Sequence, residues 1–199
     1  MTLQSDRPLR PRPAGPPASQ VRGSSGGIGR STSPAAEAVS DALRRHKGGD
    51  LGRRRRVAGL TMGAMGSLGV VAAYQFGLLR HLPEPPLPGL DADRVDASGE
   101  AYQMFKTPDA AIGLASYAVT LVLVGMGGSD RSSERSWLPV AAAAKVAGDA
   151  AFGLYLTLEQ GTKHKRFCSW CLLAAGLSLA TVPLAIPEAR AAVRARRAS

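Results

Sequence analysis

Four stretches of the chain are long, apolar and nearly free of charge, and polar or proline-rich segments separate them. They cover residues 57–79, 110–128, 137–159 and 167–186. A helix needs roughly 20 apolar residues to cross the hydrocarbon core of a bilayer, and each stretch is about that long. The pattern therefore predicts an all-α protein, an integral-membrane four-helix bundle.

The third stretch is the weakest of the four because it contains Lys145 and Asp149. These residues are four positions apart, so a helix would place them on one face, where they can form an ion pair. Charged residues within membrane helices usually face the bundle interior and find partners there. A soluble amphipathic helix is the alternative interpretation of the same stretch.

Both ends of the chain are polar and basic. Residues 1–52 are rich in Pro, Gly, Ser and Arg and lack apolar periodicity, so they bury too little apolar surface to offset their ordering entropy. We predict a disordered cytoplasmic tail over 1–52, a four-helix transmembrane domain over 53–190 and a basic tail over 191–199. We expect no secretory signal peptide, because no short apolar core with a cleavage site is found near the start.

The formal net charge is +10, from 25 basic and 15 acidic residues. Such a balance occurs in nucleic-acid-binding proteins and also in membrane proteins with basic flanks. Aromatic residues make up 5% of the chain and do not alternate with the basic ones. We therefore expect no nucleic-acid partner and place the protein among membrane lipids.

The distribution of basic residues predicts an orientation for a multi-pass protein of the cell membrane. Four crossings would bring three basic clusters to one side: Arg53–Arg56, Arg131 with Arg135, and Arg190, Arg194, Arg196 and Arg197. The positive-inside rule makes that side cytoplasmic, together with both termini. The acidic, proline-rich loop 80–109 and the start of the fourth stretch then lie near the extracytoplasmic face.

The only two cysteines, Cys168 and Cys171, open the fourth stretch in the sequence FCSWCL. On the outer face they would lie in an oxidising compartment, where disulfides persist. We predict Cys168 in the first turn of the fourth helix and Cys171 one turn deeper. The helix N-terminus and the basic run at 163–166 would favour a thiolate, which is the form that attacks disulfides.

Other interpretations of these residues stay open. The basic run can bind lipid headgroups instead of activating a thiol, and the two cysteines can be buried and inert. We expect no metal site, because Cys168, Cys171 and His164 supply three ligands where a structural zinc site uses four. Haem attachment is excluded because Leu172, rather than histidine, follows the second cysteine.

A dithiol at the border between water and lipid has access to two kinds of redox partner. A protein thiol in the outer aqueous compartment can reach Cys168, and a quinone dissolved in the bilayer can reach Cys171. Electrons would then pass from the protein thiol through the cysteine pair to the quinone, which supplies the difficult redox chemistry. The residues do not distinguish ubiquinone from menaquinone.

The span from about residue 56 to residue 188 resembles the vitamin K epoxide reductase family, specifically its bacterial disulfide-forming branch. The resemblance rests on four apolar stretches, on FCSWCL, on TPDAAIGLASY opening the second stretch and on RVDASGEAY in the large outer loop. It implies a membrane bundle around a quinone, with Cys171 reacting with the quinone and Cys168 accepting electrons from outside thiols. It also implies quinone contacts for Asp109, which can alternatively cap the second helix, and for Ser98, which can be an ordinary polar loop residue.

The chain departs from the family in the large outer loop. Family members usually carry a further cysteine pair there, whereas this chain reads DADRVDAS at the matching position. A thioredoxin-like protein, periplasmic or otherwise extracytoplasmic, would then have to deliver electrons directly to Cys168. Two functions follow: a membrane thiol:quinone oxidoreductase that supports disulfide formation, or a non-enzymatic membrane scaffold that keeps the bundle without the relay.

Overall fold

The structure, a computed structural model, describes residues 34–45 and 48–198. Its α-helices are α1 (Pro34–Arg45), α2 (Gly49–Gln75), α3 (Ala92–Asp96), α4 (Asp109–Gly125), α5 (Arg131–Glu134), α6 (Trp137–Glu159) and α7 (Ser169–Ala198). A 3-10 helix, Gly99–Tyr102, precedes α4, and a π-helical turn, Gln160–His164, follows α6. No strand occurs in these two ranges, so the all-α prediction is confirmed for the described part of the chain.

The four long helices α2, α4, α6 and α7 pack side by side as a bundle. The largest contacts join α2 to α4 and α7, and join α6 to α4 and α7. Each long helix therefore has two main neighbours, and the four close into a ring. The loop between α2 and α4, residues 76–108, lies at one end of this ring, where it meets the residues that precede α7.

Small residues bring neighbouring helices close together. A Cβ added at Gly113 of α4 would lie 2.6 Å from Leu68 Cδ1 of α2, and one at Gly153 of α6 would lie 3.3 Å from Ala175 Cβ of α7. Close backbone approach through small residues is common where helices associate without a strong hydrophobic driving force, as in lipid. Any larger side chain at Gly113 would require Leu68 to move.

Two helices, α2 with 27 residues and α7 with 30, are long and apolar enough to cross a membrane. The apolar helix α4 is shorter, with 17 residues. Helix α6 covers the third predicted stretch, residues 137–159. Its predicted ion pair is confirmed, with Lys145 Nζ and Asp149 Oδ1 2.5 Å apart.

The structure describes helices within the C-terminal end of the segment 1–52, for which we predicted disorder. Residues Pro34–Arg45 form α1, and α2 begins at Gly49, while residues 1–33 lie outside the described ranges. The Arg55 guanidinium donates hydrogen bonds to the carbonyls of Leu43 and Ala42 at 2.8 and 3.2 Å. These bonds satisfy carbonyls left unpaired at the end of α1 and attach it to α2. At the other terminus, α7 continues to Ala198 through most of the predicted tail.

Two of the arginines that suggested the cytoplasmic side are buried at the end of α4. Arg54 is 4% exposed and donates to four carbonyls at 3.0–3.1 Å, those of Val124, Met126, Gly127 and Gly128. Arg131 donates to both carboxylate oxygens of Glu188, each at 2.7 Å. These contacts join α2, α4, α5 and α7 at the end of the bundle opposite the cysteines.

We expect Glu188→Ala to destabilise the bundle. Removing one member of a buried ion pair leaves the other charge without its counter-ion, which typically costs about 3–5 kcal/mol, and Glu188 is 5% exposed. The midpoint of thermal unfolding in detergent should fall clearly below that of the parent. The control is Glu134→Ala, which removes an exposed carboxylate of α5. Equal midpoints for the parent and Glu188→Ala would contradict a structural role for the pair.

Candidate functional site

The α2–α4 loop crosses directly over the residues that lead into α7. Leu90 and Phe167 form an isolated parallel β-bridge. Asp91 N donates to Phe167 O at 3.0 Å, and Phe167 N donates to Gly89 O at 2.9 Å. The backbone just before Cys168 is thus held by a segment more than 70 residues earlier in the chain.

Glu84 joins this loop to the first turn of α7. Its Oε1 accepts a hydrogen bond from Ser169 N and its Oε2 accepts one from Ala92 N, both at 2.7 Å. The first backbone N–H groups of a helix have no partner within the helix and carry partial positive charge, so a carboxylate is favourable there. Next to it, Trp170 Nε1 donates to Pro83 O at 2.8 Å. These bonds close the loop over the cysteine pair.

Cys168 precedes α7 rather than lying in its first turn, and its exposed fraction is 0%. Its Sγ accepts a hydrogen bond from Cys171 N at 3.3 Å, and its own N–H donates to Gln160 Oε1 at 3.0 Å. It packs in an apolar cluster with loop and helix residues: Val71, Ala72, Leu82, Ala92, Val95 and Ala110. In this conformation the loop covers the Cys168 sulfur, so the predicted exchange with an outside thiol would require the loop to move.

Cys171 is the third residue of α7, in the first turn rather than one turn deeper, and is only partly buried. Its thiol donates to Asp96 Oδ1, with 3.5 Å between sulfur and oxygen. Asp96 is 2% exposed, and burial raises the pKa of its carboxyl to about 6, with a smaller contribution from Asp109. Hydrogen bonds from the two thiols act in the opposite direction and lower this pKa.

Gln75, the last residue of α2, holds the start of α4 beside this cluster. Its Nε2 donates to Asp109 Oδ1 at 2.7 Å and to Asp96 O at 3.3 Å. Its Oε1 accepts a hydrogen bond from Ala110 N at 3.3 Å. The Gln75 side-chain amide therefore holds the Asp96 backbone and the Asp109 carboxylate close together. Asp109 does not act as the N-cap of α4, because Pro108 occupies that position.

A cavity of about 120 Å³ opens beside Cys171 among α2, α4, α6, α7 and the α2–α4 loop. Its wall is mainly apolar and includes Leu68, Val71, Val95, Gly113, Phe152, Leu156 and Ala174. Both residues that the resemblance assigned to quinone contact, Ser98 and Asp109, lie in this wall. Ser98 Oγ is buried and has no hydrogen-bond partner among the described residues, so its hydroxyl is available to a molecule in the cavity.

The ion pair of α6 contributes a second polar feature to the cavity. Asp149 lies in its wall together with Ser116. Asp149 accepts hydrogen bonds from Ser116 Oγ at 2.8 Å and Thr120 Oγ1 at 2.6 Å, both on α4. Lys145 Nζ also donates to Ser116 Oγ at 2.9 Å. Mutual pairing lets two charged groups exist within an otherwise apolar bundle.

The basic run at 163–166 was expected to favour a thiolate, but among the described residues the structure gives it no hydrogen bond to either sulfur. The Lys163 ammonium pairs with Glu159, and Lys165 and Arg166 are exposed. Lys165 has a φ of 51°, in the left-handed region, where the chain leaves the π-helical turn. The side chains that form hydrogen bonds with the two cysteines are instead those of Gln160 and Asp96. Within the pair, Cys171 N donates to Cys168 Sγ.

Sequence reasoning did not identify three residues of the site, namely Gln75, Glu84 and Asp96. Asp96 belongs to the DADRVDAS segment, which lacks the cysteines usual in the family and carries three aspartates. The available signal was the acidic character of this loop in a chain with a CxxC pair. The approach of Asp96 to Cys171 required the three-dimensional fold, because 75 positions separate the two residues.

One of three comparisons with known proteins gave a match. The model of the vitamin K epoxide reductase family matches residues 56–186, which run from the first turns of α2 into α7 and include the loop, the cavity and both cysteines. Searches of curated proteins and of solved structures each gave no significant match. The family match covers well over half of the chain and agrees with the resemblance in FCSWCL and the outer loop. The chain therefore belongs to the vitamin K epoxide reductase family.

Proposed function

We propose that this chain is a membrane thiol:quinone oxidoreductase in which the Cys168–Cys171 pair passes electrons from an outside protein thiol to a quinone. Family membership supports a quinone-linked thiol oxidoreductase of the membrane in general terms. The observation that carries the finer proposal is the position of Cys171. Its side chain lies in the wall of a mainly apolar cavity, one helical turn from a second cysteine.

The residues of the cavity suit a quinone headgroup. A quinone has a flat apolar ring and carbonyl oxygens that accept hydrogen bonds, and the unpartnered Ser98 hydroxyl is a donor. Asp109 can donate only when protonated or through water, because an ionised carboxylate only accepts hydrogen bonds, as its Oδ1 does from Gln75. A bound quinone would accept two electrons and two protons. The chain would hold the ring against the apolar wall, keep Cys171 beside it and exclude bulk water.

Electrons would pass through the cysteine pair by thiol–disulfide exchange, followed by reoxidation of the pair. The thiolate of an outside protein attacks Cys168 Sγ of the disulfide, the Cys168–Cys171 bond breaks, and its electron pair goes to Cys171 Sγ. A second thiol of the same protein then displaces Cys168, which leaves an oxidised partner and a reduced pair. Reoxidation by a quinone at the cavity restores the disulfide, with two electrons and two protons leaving the pair.

We further propose that all four long helices cross the membrane, with both termini in the cytoplasm. In support, the arginine contacts of Arg54 and Arg131 lie at the end of the bundle opposite the cysteines. The loop at the cysteine end is acidic and proline-rich. The positive-inside rule then places the cysteine pair near the extracytoplasmic face, where an oxidised disulfide persists.

The partner in this proposal is a thioredoxin-like protein outside the cytoplasm. The chain carries no cysteine other than its CxxC pair, and Ala92 packs against Cys168 in the loop segment where relatives usually carry a relay cysteine. The partner must therefore exchange with Cys168 itself. Because that sulfur is fully covered, the loop held by Glu84 must move away before exchange can occur.

Reconstitution of the full chain tests the proposal. The protein in lipid nanodiscs is mixed with a reduced thioredoxin-like protein, and reduction of ubiquinone and menaquinone analogues is followed by absorbance. We expect turnover with one quinol formed per partner disulfide. An absence of turnover with every quinone and thiol, from a protein that unfolds cooperatively and retains two titratable thiols, would contradict it.

We expect Ser98→Ala to weaken quinone binding while leaving the chemistry intact. The loss of one hydrogen bond of about 0.5–1.5 kcal/mol raises KM about two- to tenfold. The value of kcat should stay within about twofold, because Ser98 does not touch either sulfur. Ser133→Ala, which removes an exposed hydroxyl of α5, is the matched control. An unchanged KM would exclude Ser98 as a quinone contact.

A second candidate function is a membrane scaffold that has kept the bundle without the relay. The missing loop cysteines and the burial of Cys168 favour it. A scaffold has no need for a sulfur facing a cavity, and its cysteines would remain reduced in the presence of quinone. The thiol count after quinone addition therefore separates the two functions.

A further inference from the structure

The carboxylate of Asp96 is buried at the site without a cationic partner. The residue is 2% exposed, and none of the ion pairs among the described residues includes it. Its Oδ2 is buried and accepts no hydrogen bond from any described residue. Placing an ionised carboxyl in such a position is costly, so its presence beside two thiols calls for a chemical role.

We infer that Asp96 takes the proton from the Cys171 thiol when the pair is oxidised and returns it when the pair is reduced. The inference rests on the proposed function, because it concerns the proton that accompanies electron transfer through the pair. Asp96 Oδ1 is the acceptor of the Cys171 S–H hydrogen bond, at 3.5 Å. A proton moved along this bond needs no rearrangement of the backbone.

The second carboxylate oxygen of Asp96, Oδ2, is the atom from which the proton received from Cys171 can pass on. Oδ1 receives the thiol proton, while Oδ2 is free of other hydrogen bonds. Both Asp96 and Cys171 lie in the wall of the cavity. A proton held by the carboxyl is therefore next to the space that a quinone would occupy.

The surroundings of Asp96 keep both of its protonation states within reach. Burial raises its pKa to about 6, so both the carboxylate and the protonated form are accessible near neutral pH. The groups that face it are Cys168 and Cys171 of α7, Asp109 of α4 and Glu84 of the loop. Other titratable groups nearby are Tyr74 on α2 and His164 in the cavity wall. A proton acceptor is most effective when its pKa lies near the working pH.

The proton steps balance with the electron steps. When the disulfide is opened by an outside thiolate, Cys171 Sγ leaves with the electron pair and takes the proton of the Asp96 carboxyl. When the pair is reoxidised, the Cys171 S–H bond breaks and its proton goes to Asp96, Cys168 also gives up its thiol proton, and the two electrons of the pair would go to the quinone. The protons from Asp96 and Cys168 would complete the quinol as the disulfide is restored, and Asp96 regains from water the proton that the first partner thiol released.

The test is Asp96→Asn, an isosteric change that keeps hydrogen bonding but cannot take up a proton. In the nanodisc assay we expect kcat to fall about 100-fold, as for loss of a general base, with KM for quinone within twofold. Reoxidation of the reduced parent by the quinone should slow as the pH falls through about 6, because Asp96 that is already protonated cannot accept the Cys171 proton. The rate of Asp96→Asn should not change over this pH range, and Asp96→Glu should recover part of the parent kcat.

A second readout separates proton transfer from a structural role. Alkylation of Cys171 by iodoacetamide is measured in full-length protein carrying Cys168→Ser, with and without Asp96→Asn. Removal of the neighbouring negative charge favours the thiolate, so we expect faster alkylation at pH 8 by about threefold or more. A more reactive thiol with slower turnover is the expected combination. The matched control is Asp93→Asn, the same substitution on the same short helix.

Each outcome decides the inference. If turnover depends on both cysteines while Asp96→Asn keeps kcat within twofold, the inference is overturned and the proposed function stands. If the parent shows no turnover, the proposed function fails. The alkylation rate of Cys171 then tests Asp96 by itself, and equal rates with and without Asp96→Asn overturn the role of Asp96. If Asp93→Asn reproduces the effects of Asp96→Asn, a general disturbance of the loop replaces proton transfer as the explanation.

Discussion

Replacement of Cys171 by serine is expected to reduce thiol-dependent quinone reduction to the uncatalysed background. Without a second sulfur no intramolecular disulfide can form, so the chain has no electron acceptor for the partner thiols. Cys171 is the sulfur in the cavity wall, whereas Cys168 is fully buried in the apolar cluster under the loop. The measurement is quinol formation in nanodiscs with a reduced thioredoxin-like protein.

When the thioredoxin-like protein is supplied in its oxidised form, Cys168 of this variant should attack its disulfide and accumulate the partner as a mixed disulfide. In the parent, the Cys171 thiolate resolves such an adduct, and the serine hydroxyl cannot replace it. The matched control is Cys168→Ser, which should be equally inactive and should capture no partner on Cys171. Nonreducing electrophoresis followed by mass spectrometry distinguishes the two. Parent-level turnover by Cys171→Ser would show that the pair is not the electron path.

Glu84→Ala is expected to increase the alkylation rate of Cys168 about 10- to 100-fold or more. The carboxylate accepts two backbone hydrogen bonds at 2.7 Å, one from the loop and one from the first turn of α7. Hydrogen bonds to charged groups are worth about 1.5–3 kcal/mol each. The loss of even one shifts the opening equilibrium of the loop at least about tenfold, because 1.4 kcal/mol is a factor of ten.

The rate is measured with a maleimide on reduced protein carrying Cys171→Ser, so that only Cys168 reacts. Glu100→Ala is the control, because it removes an exposed carboxylate from the same loop. Unfolding midpoints establish that the bundle is intact. If Glu84→Ala and the control react at the parent rate, Glu84 does not hold the loop over the sulfur.

Much of the bundle could be predicted because apolar length and helical spacing are local properties. Residues 137–159 form α6 as expected, and the four-residue spacing of Lys145 and Asp149 gave their ion pair. The start of α2 was missed because Arg53–Arg56 looked like surface charge. In the structure Arg54 is buried by carbonyls of the α4 C-terminus, which are 70 or more positions away. No local pattern reveals such a contact.

The site was predicted in part for a similar reason. Cys168 and Cys171 were recognised from their spacing, and both weakly signalled residues, Ser98 and Asp109, lie in the wall of the cavity. The cover over Cys168 was not foreseen, because it depends on Glu84, 85 positions earlier in the chain. The basic run was given the role of activating a thiol. The structure instead brings a buried acid, Asp96, to the sulfurs.

The most direct measurement of the central claim is a single turnover of the cysteine pair. The fully reduced protein in nanodiscs is mixed anaerobically with one equivalent of ubiquinone or menaquinone, and free thiols are then counted by alkylation in denaturant and mass spectrometry. We predict that both thiols disappear into one Cys168–Cys171 disulfide while one quinol forms. Two alkylated thiols and unreduced quinone, with either quinone, would contradict the proposal that this pair donates its electrons to a quinone.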